Sequence, residues 1–166
     1  MSVTVAKTAG FCFGVRRAVE LAEEQAHEHG SIYAYGEIIH NMHEIERLEK
    51  MGVHTAHTIE EIPDGERVLI RAHGVPRAVY DAFRAKNCEI FDATCPFVHK
   101  IHRIVDEESR AGRLIVILGK EGHPEVEGIR GWCGESVVID GEQAAQTFAD
   151  AFNPADRPVS MVAQTT

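Results

Sequence analysis

"RLIVILGKEGHPEVEG", from Arg113 to Gly128, sets an unbroken aliphatic run directly before a glycine-bearing loop that carries His123, Glu125 and Glu127. Apolar residues at consecutive positions are the pattern of a strand covered on both faces, as in a parallel sheet. The same motif recurs on either side. Upstream, "RVLIRAHG" (Arg67–Gly74) is an apolar strand ending in His73 and Gly74, and "CEIFDATCP" (Cys88–Pro96) is a strand followed by a turn with Cys95. Further upstream, "SIYAYG" (Ser31–Gly36) and "VTVAK" (Val3–Lys7) read as strands, and downstream "SVVID" (Ser136–Asp140) and "PVSMVAQTT" (Pro158–Thr166) do the same. Helical periods fill the gaps. Val15, Val19, Ala22 and Ala26 mark a helix that Gly30 ends. Asn41 and Glu44 form a capping-box pattern ahead of Met42, Ile45 and Leu48, with Gly52 as the stop. Pro76 opens a helix at its first position, continued by Val79, Tyr80 and Phe83. Val98, Ile101 and Val105 mark a fourth helix, and Gln143–Phe152 a last, short one. This alternation predicts an α/β fold of two similar lobes of largely parallel sheet with flanking helices, residues 1–94 and 95–166. No low-complexity linker separates them, so the lobes are expected to pack together.

The composition bounds the function. The chain has 166 residues, is 44% hydrophobic and carries a net charge of −9. A chain that acidic is a poor partner for nucleic acid, whose recognition needs a basic face. Any anionic ligand must be held by local donors. No apolar run reaches the length needed to cross a bilayer and no signal-peptide pattern opens the sequence, so the cytoplasm is the expected compartment. In a reducing compartment Cys12, Cys88, Cys95 and Cys133 are expected to serve metal or redox chemistry, or packing, and not disulfides.

The unusual residues cluster in loops that follow strands: Cys12, His40, His73, Cys95, His123 with Glu125, and Thr165 with Thr166. Carboxyl ends of parallel strands face a common crevice where ligands bind, so these residues are expected to converge. Cys12 lies between Gly10 and Gly14, and Cys95 precedes Pro96. Both precede helices, a setting that favours thiolate. Two such thiolates suit zinc, copper(I) or an iron–sulfur cluster; the alternative is a pair of small buried hydrophobes. Cys88 reads as core and Cys133 as a surface-loop residue. Imidazolium at His40, His73 and His123, with loop amides, would suit a diphosphate. His27, His29, His54, His57, His99 and His102 read as solvated or hydrogen-bonded loop histidines. A carboxyl group in a closed cleft, such as Glu125, can donate a proton, and Thr165 can orient a hydroxyl or a water.

The strings "GFCFGVRRAV", "GEIIHN", "RAHGV", "FDATCP", "GHPEVEG" and "AQTT" occur in that order. Together they resemble the 4-hydroxy-3-methylbut-2-enyl diphosphate reductase family, over Val3 to Thr166. The resemblance implies a 4Fe–4S cluster held by three cysteines at the centre of three α/β lobes. It further implies reductive removal of the substrate's allylic hydroxyl to give isopentenyl and dimethylallyl diphosphate, with electrons from a ferredoxin or flavodoxin-type partner. By motif, Cys12 and Cys95 correspond to cluster ligands, and His40, His73 and His123 to diphosphate contacts. Glu125 corresponds to the proton donor and Thr165 to the residue that helps it position the hydroxyl. The family's third cysteine, with serine and asparagine contacts to the diphosphate, lies beyond the "QTT" motif in a third lobe. The chain is therefore expected to correspond to the first two lobes and to have little or no reductase activity alone. Two other functions remain open: a cluster-free diphosphate-binding or assembly module, and a zinc protein using Cys12, Cys95 and histidines.

Overall fold

A computed structural model describes residues 2–7, 9–153, 155 and 157–165. Two parallel sheets account for every strand in them. The first has four strands, β1 (Ile32–Tyr35), β2 (Val53–Ala56), β3 (Arg67–Ile70) and β4 (Glu89–Asp92), in the order β2-β1-β3-β4. The second has three, β5 (Leu114–Leu118), β6 (Ser136–Ile139) and β7 (Val159–Ala163), in the order β6-β5-β7. The helices are α1 (Phe13–His29), α2 (Met42–Lys50), α3 (Arg77–Ala85), α4 (Pro96–Arg110), α5 (Pro124–Arg130) and α6 (Glu142–Ala151). Helix α4 follows the last strand of the first sheet and packs on β5, β7 and α5 of the second.

Alternation along the strands feeds two cores on the first sheet. Ile32, Ala34 and Leu69 face Ala18, Ala22 and Ala26 of α1. Val68 and Ile70 face Val79, Tyr80 and Phe83 of α3. In the second sheet Ile115 and Ile117 pack with Val105, Val126 and Ile129. Local signals explain the helix ends. Gly30, with φ of 84°, closes α1, and Asn41 Oδ1 accepts the Glu44 N–H at 3.3 Å to open α2.

Several expectations need correction. Val3–Lys7 forms no strand. Val3 and Val5 are exposed, and no described strand offers them a ladder. Strand β2 is not marked in the sequence, because "VHTA" is short and half polar. Pro76 is the N-cap of α3 and not its first residue. The loop after β5 is shorter than expected: Pro124 starts α5, so Glu125 lies in a helical turn and is fully buried. His102 is neither solvated nor in a loop. It lies on α4, 1% exposed, stacked on Trp132 at 5.1 Å, and neither ring nitrogen has a hydrogen-bond partner among the described residues. Cys133 is half-buried against the core of the second sheet, and burial pushes its thiol up. Thr166 lies outside the described residues.

The two sheets meet where α5 lies on the loop between β3 and α3. A Cβ on Gly128 would stand 3.4 Å from the His73 carbonyl oxygen, and one on Gly131 would collide with Pro76. Trp132 Nε1 donates to the Val75 carbonyl at 2.9 Å, and the Arg77 N–H donates to the Gly131 carbonyl at 3.3 Å. Gly131→Ala must therefore force the sheets apart and is expected to lower stability by roughly 1–3 kcal/mol in urea unfolding. Gly134→Ala, whose Cβ would meet nothing closer than Ser109 Oγ at 3.7 Å, should stay within about 0.5 kcal/mol of the parent.

Candidate functional site

Each sheet has one point where the order of its strands reverses. In the first, β1 and β3 are adjacent while the chain leaves them in opposite directions, to β2 and to β4. In the second, β5 and β7 are adjacent: the chain leaves β5 to β6 on one side and returns past β5 to β7 on the other. A crevice opens outside the carboxyl ends of strands at such a switch point. The loops after β1 and β3 carry His40 and His73, and those after β5 and β7 carry His123 and Thr165. Because α5 lies on the β3–α3 loop, the two crevices share a border.

The histidines converge there. Ring centroids are 5.4 Å apart for His40 and His73 and 5.6 Å for His73 and His123. His40 is exposed, its Nδ1 3.2 Å from Glu37 Oε2. His73 is buried with Nδ1 unpartnered among the described residues. Burial first, then the charges of Arg71, His40 and His123, push its ring down to about 4. Burial also lowers His123. His123 caps α5, its Nδ1 accepting the Glu125 N–H at 3.2 Å. That bond leaves Nε2 as the protonated nitrogen of a neutral ring. At neutral pH, His73 and His123 are thus hydrogen-bonding imidazoles and not the imidazolium cations expected from the sequence.

Glu125 is fully buried and accepts two hydrogen bonds from Thr165 at Oε1, from the backbone N–H at 2.7 Å and from Oγ1 at 2.8 Å. Thr165 also lines a cleft of about 310 Å³ with Cys12, Phe13, Gly14, Cys95 and Phe97. The two cysteines are the N-caps of α1 and α4. A Cβ on Gly14 would approach Cys95 Sγ to 2.9 Å, so the backbone between the thiols has to be bare. Soft sulfur donors on one cleft fit an iron–sulfur cluster or a zinc ion in part. Among the described residues no three His, Cys, Asp or Glu side chains are grouped to hold a metal, so this stretch brings two thiols to that cleft.

A family model described as LytB protein matches residues 3–166. The chain belongs to the LytB family. Among its relatives, the 4-hydroxy-3-methylbut-2-enyl diphosphate reductase of Clostridioides difficile (strain 630) is 44% identical over 140 residues, covering 84% of this chain and 50% of the relative. The protein of the same name from Aquifex aeolicus (strain VF5) is 39% identical over 171 residues, covering all of this chain and 57% of the relative. The solved E-1-hydroxy-2-methyl-but-2-enyl-4-diphosphate reductase of Plasmodium falciparum superposes with a TM-score of 0.88 at 30% identity, over 96% of this chain and 50% of that one. A solved (E)-4-hydroxy-3-methyl-but-2-enyl diphosphate reductase, titled the terminal enzyme of the non-mevalonate pathway, gives 0.83 at 39% identity, over 99% and 58%. The LytB chain thus spans about half the length of the relatives it matches.

Three residues that position these loops carry little mark in the sequence. Arg17 of α1 donates to the carbonyls of Thr94 at 3.0 Å and Asp92 at 3.1 Å, tying the helix that Cys12 caps to the turn that carries Cys95. Asp92 builds that turn. Its Oδ1 accepts the Thr94 N–H at 2.8 Å, and its Oδ2 accepts Tyr80 Oη at 2.8 Å and lies 3.1 Å from His99 Nε2. Burial pushes the Asp92 carboxyl up, but the hydrogen bonds of Thr94 and Tyr80 outweigh it and hold it below its ordinary range. The "D-A-T" spacing of an Asx turn was the available signal. Arg71, directly after β3, is the third, and nothing in its sequence context marks it.

Burial brings His102 as well as His73 down to about 4, against about 6.5 in an unfolded chain. Between those values the unfolded chain binds more protons, so stability rises with pH in that window. It is fully present above about pH 6.5 and is lost as the pH falls toward 4. At about 1.4 kcal/mol per pKa unit, His102 alone accounts for about 3 kcal/mol. Urea unfolding between pH 4 and 7 should show a slope approaching two protons; a flat profile would contradict the buried neutral histidines.

Proposed function

We propose that the protein to which this LytB chain belongs is a 4-hydroxy-3-methylbut-2-enyl diphosphate reductase. It adds two electrons and two protons to its substrate, loses the allylic hydroxyl as water and forms isopentenyl and dimethylallyl diphosphate. The observation that carries this reading is the buried carboxyl of Glu125, pinned by Thr165 at the wall of the cleft that Cys12 and Cys95 line. The names of the relatives supply the substrate.

In this reading Cys12 and Cys95 would hold a 4Fe–4S cluster together with a ligand from outside this stretch, and such a cluster would supply electrons drawn from a ferredoxin or flavodoxin-type donor in the cytoplasm. His40, His73 and His123 hold the diphosphate through ring N–H groups. Glu125 delivers a proton to the leaving hydroxyl, and Thr165 fixes that carboxyl and orients the hydroxyl. Phe13 and Phe97, both exposed at the mouth of the cleft, restrict water around the reacting carbon once covered. The lobes are residues 1–94 and 95–166, and each brings one cysteine-bearing or acid-bearing wall to the site.

Anaerobic turnover of the complete protein tests the acid. Glu125→Gln should lower kcat by roughly 10²–10⁴ with little change in KM, and Thr165→Val, which keeps the backbone donor, should fall between it and the parent. An unchanged kcat in Glu125→Gln would refute the proton-donor role. Iron and acid-labile sulfide, measured after anaerobic reconstitution, test the ligands: Cys12→Ser and Cys95→Ser should lose them and Cys88→Ser should keep them. Stoichiometric zinc in the parent would favour a zinc protein instead, and a colourless protein that still binds diphosphate would favour a binding module.

A further inference from the structure

A diphosphate brings several negative charges into the crevice, and His73 and His123 bring little positive charge to meet them. His73 is neutral at physiological pH, and the Nδ1 of His123 is already an acceptor. Multiple anionic charges enter a partly desolvated site only where cations or many donors compensate them. Among the described residues, one half-buried cation, Arg71, acts on both of these histidines.

Arg71 is the first residue after β3, on the switch-point side of the first sheet. Its side chain runs back across the carboxyl end of β1. A Cβ on Gly36, the residue after β1, would collide with Arg71 Nη1 and come within 3.0 Å of Cζ. Gly36 also has φ of 75°, a conformation suited to glycine. The guanidinium therefore lies on bare backbone, between the strands whose loops carry His40 and His73. Its influence reaches both His73 and His123, whose protonation it opposes.

That placement is unfavourable for the isolated chain. Arg71 is half-buried, and its Nε is buried without a hydrogen-bond partner among the described residues. The neighbouring Arg67 and Arg77 pair with Glu89 and Asp106; Arg71 forms no such pair among the described residues. The charged and titratable groups it interacts with are Tyr35 within β1, Glu37 after it, His73, and His123 at the cap of α5; His40 and Glu125 act on the same two histidines. Glu37, the carboxylate among them on the same sheet, turns to His40. Lys120, the other cation near His123, is exposed and screened by solvent.

We propose that Arg71 is the fixed positive charge of the diphosphate site, its guanidinium fork seated on Gly36 and binding phosphate oxygens that His40, His73 and His123 then orient. This rests on the function proposed above. A planar fork of N–H donors matches phosphate oxygens better than a point charge does, and an arginine stays charged at any pH at which the histidines titrate.

Binding of inorganic pyrophosphate to the complete, anaerobically prepared protein tests the assignment by titration calorimetry, with folding of each variant checked by its melting curve. At pH 7.5, Arg71→Gln should bind roughly 10–100-fold more weakly than the parent, while Arg71→Lys, which keeps the charge and loses the fork, should lose about 3–10-fold. Removing the cation should also raise the pKa of His73, read from its ring resonances. An arginine with a purely structural role would leave pyrophosphate affinity unchanged in the folded variant. Parent-like affinity in folded Arg71→Gln would overturn the role of Arg71 and leave the diphosphate reading standing. If that variant does not fold, parent-like affinity in Arg71→Lys would overturn the fork-to-phosphate contact. A parent protein that does not bind pyrophosphate would overturn both readings.

Discussion

The close approach of α5 to the loop between β3 and α3 is the contact on which the site depends. Each sheet alone offers only part of the constellation: the first has two histidines in its loops, with Cys12 and Cys95 capping the helices α1 and α4 beside it, and the second has one histidine, an acid and a threonine. Gly128 and Gly131 remove the side chains that would hold these halves apart. With the helix seated on bare backbone, His123 reaches His73, and Glu125 is buried beneath the crevice rather than solvated at its rim. The bonds that lock this seam, from Trp132 to Val75 and from Arg77 to Gly131, go to backbone carbonyls. They fix the distance between the sheets and leave the side chains of the crevice uncommitted.

Burial then sets the chemistry. The same desolvation that keeps His73 neutral makes it a directional hydrogen-bond donor without charge. The acid is treated differently. Glu125 is enclosed, yet it receives two donors from a single residue at the end of β7. A carboxyl held by both the amide and the hydroxyl of Thr165 keeps its position while its neighbours exchange. On the cysteine side, Arg17 performs the corresponding service by gripping the carbonyls that flank Ala93, one turn of chain before Cys95. Positioning in this molecule runs through backbone carbonyls and amides, which sequence changes at the surface do not disturb.

The fold was legible wherever a strand was long and aliphatic. "LIVIL" and "RVLI" could be little else, and the helices around Ala18 and Val98 announced themselves by period. "VHTA" could not be read, because a half-polar strand at a sheet edge is defined by its neighbour β1 and not by its own composition. Val3–Lys7 shows the converse: strand-forming residues make no strand without a partner. In "GHPEVEG", proline and glycine read as loop residues, whereas Pro124 starts a helix and Gly128 is a contact surface. The chemically unusual side chains of the site stood out from the sequence because histidine, cysteine and buried acid are sparse at strand ends. Arg17, Arg71 and Asp92 did not, since a charged residue that acts through a distant backbone group looks the same in sequence as one that faces solvent.

The seam between the sheets contains the only tryptophan of this sequence. Trp132 stacks on the neutral ring of His102, lies edge-on to Tyr80 at 6.0 Å and is covered by the Arg77 guanidinium at 4.8 Å. Its indole emission therefore reports on this one boundary and on nothing else in the stretch. An imidazole that gains a proton against the indole quenches it, and sheets that slide apart expose it to water and shift it to the red. The molecule carries, at the joint that assembles its site, a built-in optical gauge of whether that joint is closed.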